Sequence, residues 1–271
     1  MRLGIGFTLS HSSPSEWADR HAALGLRSVV FPVGPEAPAS LIEAYVQAAA
    51  ARDLLIAEVG AWVNPMDSDP KLRAANRSRC VDSLALAERV HARCCVAITG
   101  SAGPVWDGPD PRNYDPSFRQ EVVKTIQSFV DTVHPVRTRW TSEPMPWMTP
   151  DSPEDYQLLL RQIDRPDETA VHLDPINMIT SPDRYFHSGR FFEHCFELLG
   201  PSIRSCHLKD ARLENRLTFH VQECMVGDGA LDLRRYLELI DAQNPELPVI
   251  IEHLGSEAEY KEAIRRVHAL R

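Results

Sequence analysis

The run TAVHLDPINMITSPDRYFHSGRFFEHCFELLGPSIRSCHLKD (169–210) decides the fold. It opens on a short apolar, β-branched stretch, TAVHL, continues into an amphipathic helical segment, RYFHSGRFFEHCFELLG (184–200), and returns to a second apolar stretch, IRSCHL. Strand, helix and strand in that order read as one parallel βαβ unit whose helix covers the sheet. Both strands end on chemistry: Asp174 stands in HLDP and His207 in CHLKD.

The same alternation continues in both directions. Upstream lie LGIGFTL (3–9), SVVFPV (28–33), LLIAEVGAW (54–62), CCVAITG (94–100) and RTRWTSEPM (137–145), and downstream lies LPVIIEHL (247–254). Helical stretches separate them. The first opens at Ser13-Pro14, with Pro at the first helical position and Gly25 near the end. Later ones carry apolar residues at helical spacing, as with Tyr236, Leu239 and Ile240. Eight strand-helix units in 271 residues match a barrel, which takes about 250 residues as one unit. No Gly-x-Gly-x-x-Gly opens the first helix, so a closed barrel is favoured over an open nucleotide-binding sheet. The expected fold is α/β, a (β/α)8 TIM barrel in a single domain over residues 1–271. Two connections are long: GSAGPVWDGPDPRNYDPS (100–117) after the fourth strand, and residues 211–231 after the seventh, where RLTFHVQECMVGDG alternates as a small hairpin does. Both fall on the face where barrel active sites form. The first is expected to be a lid over the mouth.

The chain is 43% hydrophobic and 25% charged with a net charge of −9, and no stretch concentrates Lys and Arg. Nucleic-acid affinity rests on clustered cations, so a nucleic-acid partner is not expected. None of the six cysteines forms a C-x-x-C pair, and Cys94 and Cys95 sit in an apolar run where they pack as small hydrophobes. The first residues, MRLGIGFTL, enter a strand directly with no signal-peptide pattern, and no apolar run approaches the roughly 18 residues of a membrane span. A soluble, cytoplasmic enzyme with no membrane partner is expected. A homo-oligomer stays open.

The sharpest signal is a set of polar residues near the ends of four consecutive strands: Glu143 in TSEP, Asp174 in HLDP, His207 in CHLKD and Glu252 in IIEHL. Each follows the last by about one barrel repeat, the longer interval before Glu252 being taken up by the insertion after strand seven. Equivalent places on successive strands let the side chains converge on one point. Ionised acids inside a barrel cost several kcal/mol of desolvation apiece, so three together need a cation. Three carboxylates and an imidazole form a mostly hard ligand set, suited first to Mn²⁺ or Mg²⁺, with Zn²⁺ and Co²⁺ also compatible.

On these residues the sequence resembles the xylose isomerase-like TIM barrels, the sugar phosphate isomerase/epimerase family that includes D-tagatose 3-epimerase, hydroxypyruvate isomerase, inosose dehydratase and endonuclease IV. The resemblance implies one metal ion held by Glu143, Asp174, His207 and Glu252, with Glu143 and Glu252 as the acid/base pair. The endonuclease members carry extra ligands where this chain has Asn177, and Thr218 with His220. That departure and the acidic charge speak against DNA repair. Many epimerase members carry a His where Asn177 stands, which makes Asn177 a candidate substrate contact.

Other candidates are weaker. Trp62, at a strand end, offers an apolar wall for a sugar, and Trp106 in the fourth loop is second to it. Lys209 points the same way as His207 by strand alternation and is expected to touch substrate, with a rim salt bridge as the alternative. His220, in the hairpin, either reaches the pocket as a substrate contact or stays a surface histidine. Glu58 is either an inward polar residue or the partner of a helix Arg. Gly227-Asp228-Gly229 reads as a turn, and His172, His187 and His194 as structural. The leading function is metal-dependent isomerisation or epimerisation of a sugar or keto-sugar through an enediolate. A lyase of the inosose dehydratase kind is the alternative, and a non-catalytic metal- or sugar-binding barrel the third.

Overall fold

The computed structural model describes residues 1–271. Strands β1 (Arg2–Ile5), β2 (Ser28–Val30), β3 (Leu55–Gly60), β4 (Cys94–Ala97), β5 (Trp140–Ser142), β6 (Thr169–Leu173) and β7 (Ile203–Leu208) follow one another, separated by helices. After β7 the chain forms a hairpin of β8 (Asp210–Leu213) and β9 (Val221–Cys224), and β10 (Pro248–Ile251) completes the sheet. The eight-stranded sheet runs β1-β10-β7-β6-β5-β4-β3-β2, every pair parallel. Around it stand α1 (Pro14–Ala23), α2 (Ala39–Ala50), α3 (Pro70–Val90), α4 (Pro116–Val133), α5 (Pro153–Ile163), α6 (Pro182–Phe186), α7 (Ser188–Leu199), α8 (Leu233–Gln243) and α9 (Glu257–Leu270). The strand order and parallel pairing are those of a (β/α)8 barrel.

Local chemistry sets the element boundaries. Helices α1, α3, α4, α5 and α6 begin with Pro in the first turn, and Ser13, Asp69, Ser152 and Ser181 accept a backbone N–H as N-caps. The stretch expected as one helix over 184–200 is two. His187, at φ −118° and ψ 37°, leaves the helical region between α6 and α7, and the Ser188 hydroxyl accepts the Asp232 N–H at 3.0 Å, turning α7 toward α8.

The seam between β1 and β2 has no ladder. It is closed instead by Arg27 N–H to the Leu3 carbonyl and by the Ser28 hydroxyl to the Arg2 carbonyl, each 2.9 Å. Gly4 permits this approach: a Cβ there would lie 2.6 Å from Ile250 Cδ1 and 2.7 Å from the Ser28 carbonyl oxygen. All six cysteines are free thiols, and Cys94 and Cys95 are fully buried. No helix is long and apolar enough to cross a membrane.

On three of the four strands the ladder stops one residue short of the chemistry. Glu143, Asp174 and Glu252 are the first residues after β5, β6 and β10, and His207 is the second-last of β7. Two buried tyrosines tie these strand ends together. Tyr156 OH accepts the N–H groups of Ser142 and His172, both at 3.1 Å, and Tyr236 OH donates toward the carbonyls of His207 (3.1 Å) and Leu173 (3.3 Å). Gly4→Ala is expected to open the β1–β2 seam at a cost of about 1–3 kcal/mol, read as a lower urea midpoint. An unchanged midpoint would show that the seam tolerates a side chain.

Candidate functional site

The four residues at the strand ends converge. Donor atoms of Glu143, Asp174, His207 and Glu252 all lie within 4.8 Å of one another, and all four side chains are buried. His207 Nδ1 faces Glu252 Oε2 at 2.7 Å and Glu143 Oε1 at 3.2 Å. Asp174 Oδ1 accepts the N–H groups of Ile176 (3.0 Å) and Asn177 (3.2 Å), which fixes the carboxylate plane. Its other oxygen, Oδ2, is fully buried and accepts no hydrogen bond. An orphaned carboxylate oxygen aimed at two more carboxylates and a ring nitrogen is a donor set that fits a hard divalent cation.

Lys209 answers part of that charge. Its Nζ lies 2.8 Å from Asp174 Oδ2, 2.7 Å from Glu252 Oε1 and 3.1 Å from Glu223 Oε1. Lys209 points inward as alternation requires; it is buried, does not line the cavity, and its ammonium is ion-paired with three carboxylates.

The titration behaviour follows from burial against charge. Burial opposes the protonated forms of His207 and Lys209, yet Glu252 and Glu58 around the first, and Asp174, Glu252 and Glu223 around the second, hold both well above their usual ranges. Burial would raise Glu252, but His207 and Lys209 outweigh it and keep its carboxyl well below the usual range. For Asp174 burial wins over Lys209, with Glu252 and Glu143 adding to the rise, and its carboxyl is pushed up to about 6.

Beneath this cluster lies a second polar layer. Glu58, on β3, points into the barrel rather than to a helix Arg. Its Oε2 lies 3.3 Å from His207 Nε2, and its Oε1 accepts the Ser205 hydroxyl. His172 is fully buried two residues before Asp174 and packs edge-on against His207, with ring centroids 4.0 Å apart and planes at 82°. Burial pushes the His172 imidazole down to about 4, so it is neutral. His187 and His194 pair with Asp183 and Glu154 on the surface.

The cluster opens into a cavity of about 790 Å³ lined by Glu143, His207 and Glu252 at the base and Trp62, Trp106 and Trp147 among its walls. Asn177 also lines it, donating to Glu143 Oε1 at 3.3 Å and to the Pro144 carbonyl at 3.0 Å. His220 is not among the lining residues. The β8–β9 pairing ends at Leu213 and Val221, leaving His220 exposed in the turn, where its Nδ1 meets the Thr218 carbonyl at 3.0 Å. The loop after β4, expected as a lid, is tied by hydrogen bonds to the loops after β3 and β5. Asn64 bonds Ser101 through N–H and carbonyl (3.1 and 2.8 Å), Asn113 donates to the Trp147 carbonyl (3.1 Å), and Trp147 Nε1 donates to the Asp107 carbonyl (2.6 Å). The amides of Gly227 and Gly229 are taken by Asp210 Oδ2, as a turn requires, and are not free for phosphate.

Sequence reasoning missed Glu223 and His253. His253 adopts a left-handed backbone (φ 58°) directly after Glu252, and its Nδ1 meets Glu223 Oε2 at 2.8 Å. The pair ties the hairpin to the end of β10. Only the position of His253 next to Glu252 hinted at it.

The family model described as Xylose isomerase-like TIM barrel matches residues 18–270. The chain belongs to that family. No curated protein sequence matches it. Among solved structures it is similar to a probable 3-DHS dehydratase from Bacillus anthracis (12% identity, 100% of this chain and 98% of that one, TM-score 0.71). It is also similar to 3-keto-D-glucoside 4-epimerase from E. coli (14%, 100% and 98%, 0.70). A third is a xylose isomerase-like TIM barrel protein from Mycobacterium smegmatis in complex with magnesium (14%, 96% and 88%, 0.67). At such identities the likeness speaks for the fold alone.

Removing Lys209 tests the charge balance. Lys209→Met is expected to destabilise the metal-free chain by about 3–5 kcal/mol, because buried carboxylates lose their counter-charge. Saturating Mn²⁺ should restore part of that loss. An unchanged denaturation midpoint without metal would mean that the carboxylates do not depend on Lys209.

Proposed function

We propose that this chain is a divalent-metal-dependent isomerase or epimerase acting on an unphosphorylated sugar or keto-sugar through an enediolate. The convergence of Glu143, Asp174, His207 and Glu252, three of which line the cavity, carries this reading. Those four residues would hold one cation, Mn²⁺ by preference, with Mg²⁺, Zn²⁺ or Co²⁺ compatible with the same donors. A cation bound there would polarise adjacent carbonyl and hydroxyl oxygens of the sugar and stabilise the enediolate.

The remaining work falls to the chain's own groups. Glu143 and Glu252 both face the cavity and serve as bases on opposite steps: one removes the C–H proton from the hydroxyl-bearing carbon next to the carbonyl. The other delivers a proton to the neighbouring carbon or to the opposite face. Asn177 orients the Glu143 carboxylate through its amide, and Lys209 holds Glu252 from the side away from the cavity. Trp62 presents a half-exposed indole to the apolar face of the ring.

The lining also speaks to substrate charge. It contains Glu58, Asp107, Glu143, Glu223 and Glu252 but no Lys or Arg. A phosphoryl group entering there would meet like charge and find no guanidinium or ammonium to receive it. A neutral polyol or keto-sugar meets neither obstacle.

The test is solvent-deuterium incorporation into matched panels of keto-sugars and their phosphates. Exchange and product are expected with neutral members and not with the phosphates. Exchange confined to phosphates would remove the charge argument, and an unsaturated, ultraviolet-absorbing product would mark dehydration instead. His207→Ala is expected to lower metal content sharply while leaving the barrel folded, and full stoichiometric metal in that variant contradicts the site. Glu143→Gln and Glu252→Gln should each keep some metal. In one reaction direction one variant loses proton abstraction, while the other still exchanges the proton but forms no product. Wild-type turnover in both would end the two-base assignment.

A further inference from the structure

Glu58 is the buried acid that the reading above leaves without a task. It is 1% exposed, in the middle of β3, in a barrel interior where apolar branched side chains are the rule. A carboxylate there carries a desolvation cost that Leu or Ile would avoid, so packing does not explain it. Its contacts are specific. Oε1 accepts the Ser205 hydroxyl and lies 3.5 Å from His172 Nδ1, while Oε2 lies 3.3 Å from His207 Nε2.

His207 is thus addressed from both sides. Its Nδ1 faces Glu252 and Glu143, and its Nε2 faces Glu58. A cation bound at Nδ1 would displace the proton there, leaving a neutral imidazole that carries its one proton on the other nitrogen. A hydrogen-bond acceptor fixed at Nε2 selects the tautomer with the proton there and leaves the Nδ1 lone pair aimed at the carboxylates. His172, stacked edge-on at 4.0 Å, blocks rotation of the ring out of that plane. Ser205 lies two residues before His207 on β7, so the hydroxyl that steadies Glu58 comes from the strand that carries the histidine.

We propose that Glu58 is a positioning residue for the metal centre, accepting the Nε2 proton of His207 and so presenting the Nδ1 lone pair to the cation shared with Glu143, Asp174 and Glu252. The inference rests on the metal reading under Proposed function. Outer carboxylates on ligating histidines fix ring orientation and raise ligand basicity, and their loss typically weakens metal binding by 10–100-fold. The same three side chains also admit a rival arrangement, since donor atoms of Glu58, His172 and His207 lie within 4.8 Å of one another and could hold a second ion directly.

The experiment is calorimetric titration of the full chain with Mg²⁺ and with Mn²⁺, paired with ¹⁵N–¹H spectra of the His207 ring in the Mg²⁺-loaded protein. Glu58→Gln keeps the volume and removes the charge. It is expected to weaken metal binding by about 10–100-fold and to shift or erase the His207 Nε2–H signal, with the circular dichroism unchanged. Ser205→Ala, which leaves every charge in place, is expected to weaken binding by a smaller factor and to move the same signal. It stands in if Glu58→Gln does not fold. Wild-type affinity together with an unmoved Nε2–H signal in these variants overturns the proposal and leaves the metal site intact. Two ions per wild-type chain, one of them lost in Glu58→Gln, overturns it in favour of Glu58 as a ligand. A wild-type chain that binds no metal removes the metal reading and this inference with it.

Discussion

Three buried carboxylates within reach of one another are the constraint on which the rest of this structure depends. Glu143, Asp174 and Glu252 leave the ends of three barrel strands toward the same point. Their mutual repulsion in a dry setting would unfold the mouth of the barrel or neutralise the acids. The chain answers with His207 and Lys209, both buried and both held charged by the acids around them. The arrangement is balanced rather than sealed. Asp174 Oδ2 accepts no hydrogen bond, and its carboxyl is pushed upward by burial despite Lys209. A site with surplus negative charge, an orphaned oxygen and an opening to a cavity suits a divalent cation in a way that a purely structural ion network does not.

The scaffold serves that point. Tyr156 and Tyr236 each bond the backbones of two neighbouring strands just below the ligands, so β5, β6 and β7 cannot slide independently. Glu143 N–H donates to the Ala97 carbonyl and Glu252 N–H to the Leu208 carbonyl, carrying the ladder one residue into the site. Above it, the loops after β4 and β5 are joined through Asn113, Trp147 and Asp107, giving a fixed aromatic wall. The hairpin after β7 sends Glu223 back to Lys209 and His253. Holding the four side chains on packed strands is what the proposed proton transfer demands.

The barrel and its four converging residues were legible in the sequence because both depend on periodicity. Apolar runs mark the strands, and a repeat places Glu143, Asp174, His207 and Glu252 at matching positions. What periodicity leaves open is the identity of the neighbour. Alternation gave the direction of Lys209 correctly, but the three carboxylates paired with it stand just after β6, on β9 and just after β10, and no local pattern links them. Glu58 stayed undecided for the same reason: an acid in an apolar strand faces either inward or a helix, and only the β3–β7 contact across the barrel settles which. The place of His220 turns on register. One residue of pairing between β8 and β9 separates a side chain over the pocket from one in the exposed turn. The helix break at His187 turns on a single backbone angle that the amphipathic pattern of 184–200 does not encode.

The central claim is that one divalent cation is held by Glu143, Asp174, His207 and Glu252, and anomalous diffraction from Mn²⁺-soaked crystals tests it most directly. The account requires a single strong peak per chain, about 2 Å from a carboxylate oxygen of each acid and from His207 Nδ1, with Lys209 still bridging Asp174 and Glu252. A map with no peak there, and with His207 still paired directly to Glu252, would contradict it.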